Sequence, residues 1–424
     1  MRNWRLSRGA AVLVAGGLLA TVSAGPACAD NVRDAQWPLA TYQAESVIWP
    51  VSKGEGVTVA VIDSGVLKDH QDLTGQVLAG ADFTGEKTDG TVDNDGHGTG
   101  MASLIAGHGH GSGAGIKGLA PQAKILPIRI TLDGESLSDR SETAKAIRYA
   151  VDHGAKVINM SIAGPSGADP DERAAVKYAR DQDVVLVAGV GNKGDKGGAV
   201  EYPAAFPGVV AVGAVDQNGL IWSKSSFGPE TTLVAPGAEV PHASAKATNG
   251  YGIANGTSDA TAYVSATAAL IRAKYPELSA GQVINRMIKS ATPPADGSAV
   301  PNARYGYGVL SPAKALEANP AVDGGPRDNP LAGRAEAQAA PTVPPAEEEW
   351  QSPPPVTVPA NQENSGVKWV LLGTAGLAGV VLLGVVVTVL LVVRGRRRRE
   401  REAAAAAAAY QGYPPPQQWP PYQG

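Results

Sequence analysis

The chain has 424 residues, of which 43% are hydrophobic and 18% are charged, and its formal net charge is −4. Three arginines lie within the first eight positions, and seven Lys or Arg residues flank an apolar run near the C-terminus. The region between these groups is therefore distinctly acidic, and we do not expect nucleic acid as a partner.

Residues 1–29 have the pattern of a secretory signal peptide. Three arginines precede a long apolar run, and the segment closes with the small-residue motif Ala27-Cys28-Ala29. Cleavage after Ala29 removes the only cysteine of the chain. The mature protein is thus expected to be exported and to fold without disulfides.

Residues 30–55 form a short N-terminal arm that carries Trp37 and Trp49. An arm of this length cannot build an independent pro-domain. Because exposed tryptophan is unfavourable, we expect both rings to hold the arm against the domain that follows.

Residues 56–319 read as one α/β domain in which strand-like and helical patterns alternate. Strands that are apolar on both faces and alternate with helices favour a buried, mostly parallel sheet. Two later helices have N-terminal capping signatures, at Asp169 and at Ser279. The predicted strands are Val57–Ile62, Lys124–Ile130, Lys156–Met160, Val184–Ala188 and Val209–Val215, and the predicted helices include Ser141–His153 and Asp171–Asp181.

The C-terminal hundred residues change character three times. Residues 320–366 are rich in Pro, Ala and Glu and are predicted to be a linker without fixed structure. Residues 367–393 contain an uncharged apolar run, Val370–Val393, long enough to be a transmembrane helix. The arginines that follow place the tail, residues 394–424, in the cytoplasm and the domain outside the plasma membrane.

Three motifs carry the chemistry, in the order Asp, His, Ser. A β-branched strand delivers Asp63 into a Gly turn, His97 lies in Asp-Gly-His-Gly-Thr, and Ser258 lies in Asn-Gly-Thr-Ser at the start of an Ala-rich helix. A serine hydroxyl becomes a nucleophile when a histidine base and an orienting carboxylate support it. Taken alone, the Gly-Thr-Ser motif could equally cap a core helix.

Together these motifs resemble the subtilisin-like serine proteases. The resemblance implies a three-layer α/β fold with a mostly parallel central sheet. It also implies that Ser258 is the nucleophile, His97 the general base and Asp63 the residue that orients the histidine. The Gly turn after Val184–Ala188 places Asn192 where the family has its oxyanion-hole asparagine. The alternative is that Asn192 only makes a turn.

The segment Ser161, Ile162, Ala163 and Gly164 resembles the part of the family that pairs with the substrate backbone. Extended peptides bind in this way by adding a strand. Ala163 stands where Gly is common in the family, which predicts a narrower pocket.

The chain also departs from the family pattern close to Ser258 and His97. Asp259 replaces a Met, Ala262 and Tyr263 replace Pro-His, Ala266 replaces Gly, and Gly100 replaces a second His. The carboxylate of Asp259 is expected either to exploit the helix dipole or to point inward and oppose the oxyanion. The loop with His108 and His110 is read as a solvated loop, and neither a metal site nor a cofactor is expected.

The combined architecture resembles the mycosins, which are membrane-anchored subtilisin-like proteases of actinobacterial type VII secretion. That resemblance implies an endopeptidase that cleaves polypeptides outside the membrane and associates with secretion-channel proteins. Two alternatives stay open: a structural component of the channel whose proteolysis is dispensable, and a generic surface-protein-processing protease.

Overall fold

The computed structural model describes residues 32–334, except 112, 134–135, 138–139, 165–168 and 246–249. The predicted signal peptide, the anchor Val370–Val393 and the tail lie outside the described residues. Within the described range, no helix has both the length and the apolar character that crossing a membrane requires.

Helices and strands alternate along most of the described chain. The helices are α1 (Trp37–Thr41), α2 (His97–Ala106), α3 (Arg140–Asp152), α4 (Pro170–Asp181), α5 (Thr257–Lys274), α6 (Ala280–Ser290), α7 (Pro312–Leu316) and α8 (Pro320–Asp323), with a π-helical turn at Ala44–Ile48. The strands are β1 (Thr58–Asp63), β2 (Ala81–Asp82), β3 (His108–His110), β4 (Ala114–Lys117), β5 (Lys124–Arg129), β6 (Leu132–Asp133), β7 (Ser136–Leu137), β8 (Val157–Met160), β9 (Val185–Gly189), β10 (Val210–Val215), β11 (Thr231–Pro236), β12 (Val240–Ala243) and β13 (Tyr251–Ala254).

In the described part of the chain, seven strands form one parallel sheet in the order β11-β10-β9-β8-β1-β5-β2. The five predicted strands are confirmed within one residue at each end, as are the helices α3 and α4. The strands β2 and β11 were not predicted: β2 has only two residues, and the two threonines and terminal proline of β11 hide its apolar pattern. The α/β class with a mostly parallel central sheet is therefore confirmed.

Alternate side chains of each strand enter two separate cores. Val59 and Val61 of β1 pack on the side of α2 and α5, whereas Ala60 and Ile62 pack on the side of α3 and α4. This explains why the strands are apolar on both faces. The sheet is thus the middle of three layers, with helices on both sides.

Both tryptophans hold the N-terminal arm in place, as predicted. The ring N–H of Trp49 donates to the carbonyl of Leu119 at 2.9 Å, and that of Trp37 lies 3.2 Å from the carbonyl of Ala238. The side chain of Trp49 is only 7% exposed. The arm is therefore an integral part of the domain surface.

The first part of the predicted linker does not lack fixed structure, which corrects that expectation for residues 320–334. Residues Pro320–Asp323 form α8, and both carboxylate oxygens of Asp323 accept from the buried Arg286, at 2.7 and 2.6 Å. Further along, Arg334 donates to the backbone carbonyls of Ala204 and Phe206. A composition rich in Pro, Ala and Gly hid these contacts, because they depend on partners distant in sequence.

Candidate active site

Asp63 ends the central strand β1, between β8 and β5, and is fully buried. Its Oδ1 accepts a hydrogen bond from the backbone N–H of Ser64 at 2.8 Å. The same oxygen lies 2.7 Å from His97 Nδ1. A buried carboxylate that accepts a hydrogen bond from Nδ1 keeps the proton on this nitrogen, so that Nε2 is left as the basic nitrogen.

The backbone around His97 is arranged by Asp93, a residue that the sequence analysis did not single out. Asp93 Oδ1 accepts from the N–H of Gly96 at 2.7 Å, and Oδ2 accepts from the N–H of Thr99 at 2.9 Å. Gly98 lets the helix approach β1, because a Cβ there would lie 2.1 Å from the carbonyl oxygen of Gly65. The Asp-Gly-His-Gly-Thr motif thus serves to bring His97 against Asp63.

His97 carries a strongly perturbed pKa, and 24% of its side-chain surface is exposed. Burial disfavours the imidazolium and acts to lower the pKa. The charge and hydrogen bond of Asp63 and the charges of Asp259 and Asp95 outweigh burial, and they raise the pKa of His97 to about 9. The imidazolium that forms when a serine is deprotonated is therefore well stabilised here.

Ser258 lies in the first turn of α5. This helix packs against α2 and so brings the serine to the edge of the sheet at which β1 ends with Asp63. Its hydroxyl donates to the carbonyl of Ser161 at 3.2 Å, and Ser161 Oγ donates to the carbonyl of Ser258 at 2.9 Å. No hydrogen bond joins Ser258 to His97 within the described residues. Transfer of the proton to His97 therefore requires the hydroxyl to leave the Ser161 carbonyl.

Asn192 presents its amide N–H groups beside the same helix terminus. Its Oδ1 accepts from Thr257, from the backbone N–H at 3.0 Å and from the hydroxyl at 3.1 Å. A Cβ on Gly256 would lie 3.7 Å from Asn192 Nδ2 and 3.5 Å from the backbone N of Ser258. Both nitrogens thus lie near one point in front of α5, which is compatible with the predicted oxyanion hole, and the oxyanion role of Asn192 stays a prediction.

The predicted substrate segment follows β8 and is already partly engaged. Gly164 pairs with Tyr202 through backbone hydrogen bonds in both directions, at 2.9 and 3.3 Å. The side chain of Ile162 is buried in the core, and Ser161 is bonded to Ser258. Ala163 is half-buried. Substrate binding by Ser161, Ile162, Ala163 and Gly164 stays a prediction.

Two departures from the family pattern acquire a structural explanation. Asp259 is 1% exposed, so its carboxylate points into the protein, and the expectation that it opposes the oxyanion stays a prediction. Beside Gly100, the ring of His242 from β12 occupies the space that a side chain would take, with Nδ1 2.6 Å from an ideal Cβ. No local pattern could have revealed His242, because it comes from a distant strand.

The loop with His108 and His110 is not simply solvated. Both residues belong to the β3–β4 hairpin, and His110 Nδ1 lies 2.6 Å from the fully buried Asp72 Oδ1. Among the described residues, no group of three or more His, Cys, Asp or Glu side chains is placed to hold a metal ion.

The comparisons with known proteins agree with this geometry. The family model described as "Subtilase family" (Peptidase_S8) matches residues 54–308. The chain belongs to the subtilase family. It is 38% identical to subtilisin DY of Bacillus licheniformis over 262 residues, which is 61% of this chain and 90% of that protein. It is also 38% identical to thermitase of Thermoactinomyces vulgaris, over 53% of this chain and 77% of that protein.

Crystal structures of MycP1 are similar along a longer stretch. One, with its N-terminal propeptide removed, aligns with a TM-score of 0.60 and 30% identity and covers 69% of this chain and 99% of that one. MycP1 from Mycobacterium smegmatis aligns with a TM-score of 0.60 and 28% identity, and the alignment covers 70% of this chain and 88% of that one. Family and site agree on the chemistry: this subtilase is a serine endopeptidase.

Proposed function

We propose that this subtilase is a membrane-anchored, mycosin-like endopeptidase that cleaves proteins outside the membrane and works with a type VII secretion machine. The observation that carries the proposal is the similarity to MycP1, which extends beyond the catalytic stretch of residues 54–308. One MycP1 structure is described as an essential component of the type VII (ESX-1) secretion system. The predicted anchor and tail supply the membrane topology that such a role needs.

The proposed mechanism follows from the site. Ser258 Oγ attacks the scissile carbonyl and passes its proton to His97 Nε2, while Asp63 holds the proton on Nδ1 and stabilises the imidazolium. Asn192 Nδ2 and the N–H of Ser258 donate to the oxyanion, aided by the positive end of the α5 dipole. His97 then protonates the leaving amine, and water releases the acyl group by the reverse sequence.

The decisive test of activity is Ser258→Ala. We expect proteolysis to fall by about 10⁶-fold, the loss typical of removing a triad serine, with an unchanged melting temperature. A serine-directed fluorophosphonate should label the wild-type protein and leave this variant unlabelled. Full proteolysis by the variant would contradict the assignment of Ser258.

The role in secretion needs a separate experiment, because a structural role with dispensable proteolysis is the main alternative. Cells that carry Ser258→Ala, or lack the gene, are compared for type VII secretion and for the termini of secreted proteins. Loss of secretion only in the deletion strain supports the structural role. Altered termini with Ser258→Ala identify the substrates. If secretion is normal in both strains and no channel proteins co-purify with the protease, the result supports a generic surface-protein-processing protease.

A further inference from the structure

The strand β8, in the middle of the sheet, carries one polar side chain, that of Asn159, which enters the core on the side of α5. Asn159 lies two residues after Val157, whose side chain belongs to that core, and it is fully buried. Its neighbours across the sheet are Val61 and Val187. A buried amide is costly unless it is hydrogen-bonded, so its partners should explain why it is there.

The amide of Asn159 joins two serines. Ser265 Oγ donates to Asn159 Oδ1 at 2.9 Å, and Asn159 Nδ2 donates to Ser161 Oγ at 3.0 Å. Ser161 Oγ in turn donates to the backbone carbonyl of Ser258 at 2.9 Å. Ser265 and Asn159 are fully buried, and Ser161 is 4% exposed. Ser265, Asn159 and Ser161 thus form a buried hydrogen-bond chain that ends on the nucleophile.

The direction of the buried hydrogen-bond chain follows from its last hydrogen bond. A carbonyl can only accept, so the hydroxyl proton of Ser161 is used on Ser258. Ser161 Oγ must then accept from Asn159, which turns the NH₂ end of the amide towards Ser161 and the amide oxygen towards Ser265. Because an amide oxygen also only accepts, position 265 has to supply a donor. The alanines that make up much of α5 could not supply one.

Ser161 holds the nucleophile at two points. Its hydroxyl donates to the backbone carbonyl of Ser258, and its own backbone carbonyl accepts from the Ser258 hydroxyl at 3.2 Å. Ser265 lies seven residues after Ser258, on the same face of α5 and about 10 Å further along the helix axis. Without the Ser265 hydroxyl, the Asn159 amide is free to turn, and Ser161 loses its fixed donor. The effect would therefore reach Ser258 from a residue that does not touch the substrate.

We propose that Ser265 and Asn159 are positioning residues for the peptidase reaction. They fix Ser161, and through it the main chain of Ser258, so that the serine hydroxyl comes within reach of His97 when it leaves the Ser161 carbonyl. A nucleophile on a loosened turn reacts more slowly, because small misplacements of the attacking atom are costly. The inference rests on Ser258 as the nucleophile and is independent of the role in secretion.

The test is Ser265→Ala in the full-length protein, since this change removes one hydroxyl and no hydrocarbon. We expect kcat on a peptide substrate and the rate of fluorophosphonate labelling to fall together by about fivefold, as for one lost hydrogen bond between neutral groups. KM should not change. In a Ser161→Ala background, Ser265→Ala should cause no further loss of labelling, because the buried hydrogen-bond chain is already broken there.

Thr267→Val is the matched control. Thr267 is also fully buried on α5, but its hydroxyl donates to the carbonyl of Tyr263 in the same helix, at 2.9 Å. This variant should keep the wild-type kcat and labelling rate. Equal losses in Thr267→Val and Ser265→Ala would overturn the inference, because any lost buried hydroxyl of the helix would then have the same effect.

Two further outcomes would also overturn the inference. Unchanged kcat and labelling in Ser265→Ala would do so while leaving the peptidase assignment intact. An undiminished loss in the Ser161→Ala background would show that Ser265 acts independently of Ser161. A wild-type protein that is never labelled would contradict the peptidase assignment and the inference with it.

Discussion

At the scale of single residues, the charges around His97 determine the pH range of the enzyme. Asp63 on β1, Asp95 before α2 and Asp259 on α5 face the imidazole, and against the effect of burial they raise the pKa of His97 to about 9. A general base works only when unprotonated. Raising its pKa therefore removes activity below that value, and the enzyme is expected to be an alkaline one.

We predict that kcat/KM rises about tenfold per pH unit on the acid side and levels off near pH 9. Asp259→Asn removes one attractive charge and should move the midpoint to lower pH. Asp95→Asn should do the same to a smaller extent, since its contribution to the pKa of His97 is the smaller one. The measurement is a pH profile of kcat/KM on one peptide substrate. A wild-type midpoint near the ordinary histidine value would contradict the prediction.

At the scale of elements, two peripheral segments complete the domain. The arm buries Trp49, Ile48 and Leu39 against the core that includes α2 and α5. We predict that Trp49→Ala lowers the free energy of unfolding by about 3–5 kcal/mol, because it removes a buried ring and the bond to Leu119.

Val51→Ala is a suitable control for the arm, since Val51 is 44% exposed and should change stability by less than about 0.5 kcal/mol. Urea unfolding of both variants is the measurement. Equally small changes in the free energy of unfolding for both variants would show that the arm is a removable leader. An active enzyme whose natural N-terminus lies near Glu55 would show the same.

The C-terminal segment is the second completing element. Arg286 is 1% exposed and forms a two-pronged ion pair with Asp323. Asp323→Ala leaves this buried guanidinium without its counter-charge, and we expect a loss of about 3 kcal/mol. Asp328→Ala, at an exposed neighbouring position, should be neutral. The second measurement compares, in denaturant unfolding, a protein that ends at Asn319 with one that ends at Arg334. Equal stability would place the domain boundary at residue 319, as the composition suggested.

At the scale of the whole molecule, the proposed topology has residues 30 to about 369 outside and residues 394–424 inside. Protease treatment of intact cells is expected to release the catalytic domain by cutting between Arg334 and the anchor. An epitope on the tail should become accessible only after the cells are opened, with a cytoplasmic protein as the control for intact cells. Tail labelling on unbroken cells would contradict this topology.

The sequence by itself determined five of the seven strands of the sheet, its long flanking helices α3 and α4 and the identity of the candidate site residues. Apolar runs and capping signatures are local, and the structure confirms both the β-strand that carries Asp63 and the capping box at Ser279. Because parallel strands present their carboxyl ends at one edge, motifs after such strands could be expected to meet. The order Asp63, His97, Ser258 was therefore sufficient to indicate the family.

Only the tertiary structure decided what surrounds those residues. Asp259 is buried beside the nucleophile, His242 fills the space beside Gly100, and Tyr42 packs against Tyr263 of the catalytic helix from the arm. The contacts of His242 with Gly100 and of Tyr42 with Tyr263 join segments far apart in sequence, and no local periodicity encodes such a pairing. The direction of a buried side chain, and with it the electrostatics of the site, follows from the packing of the assembled layers.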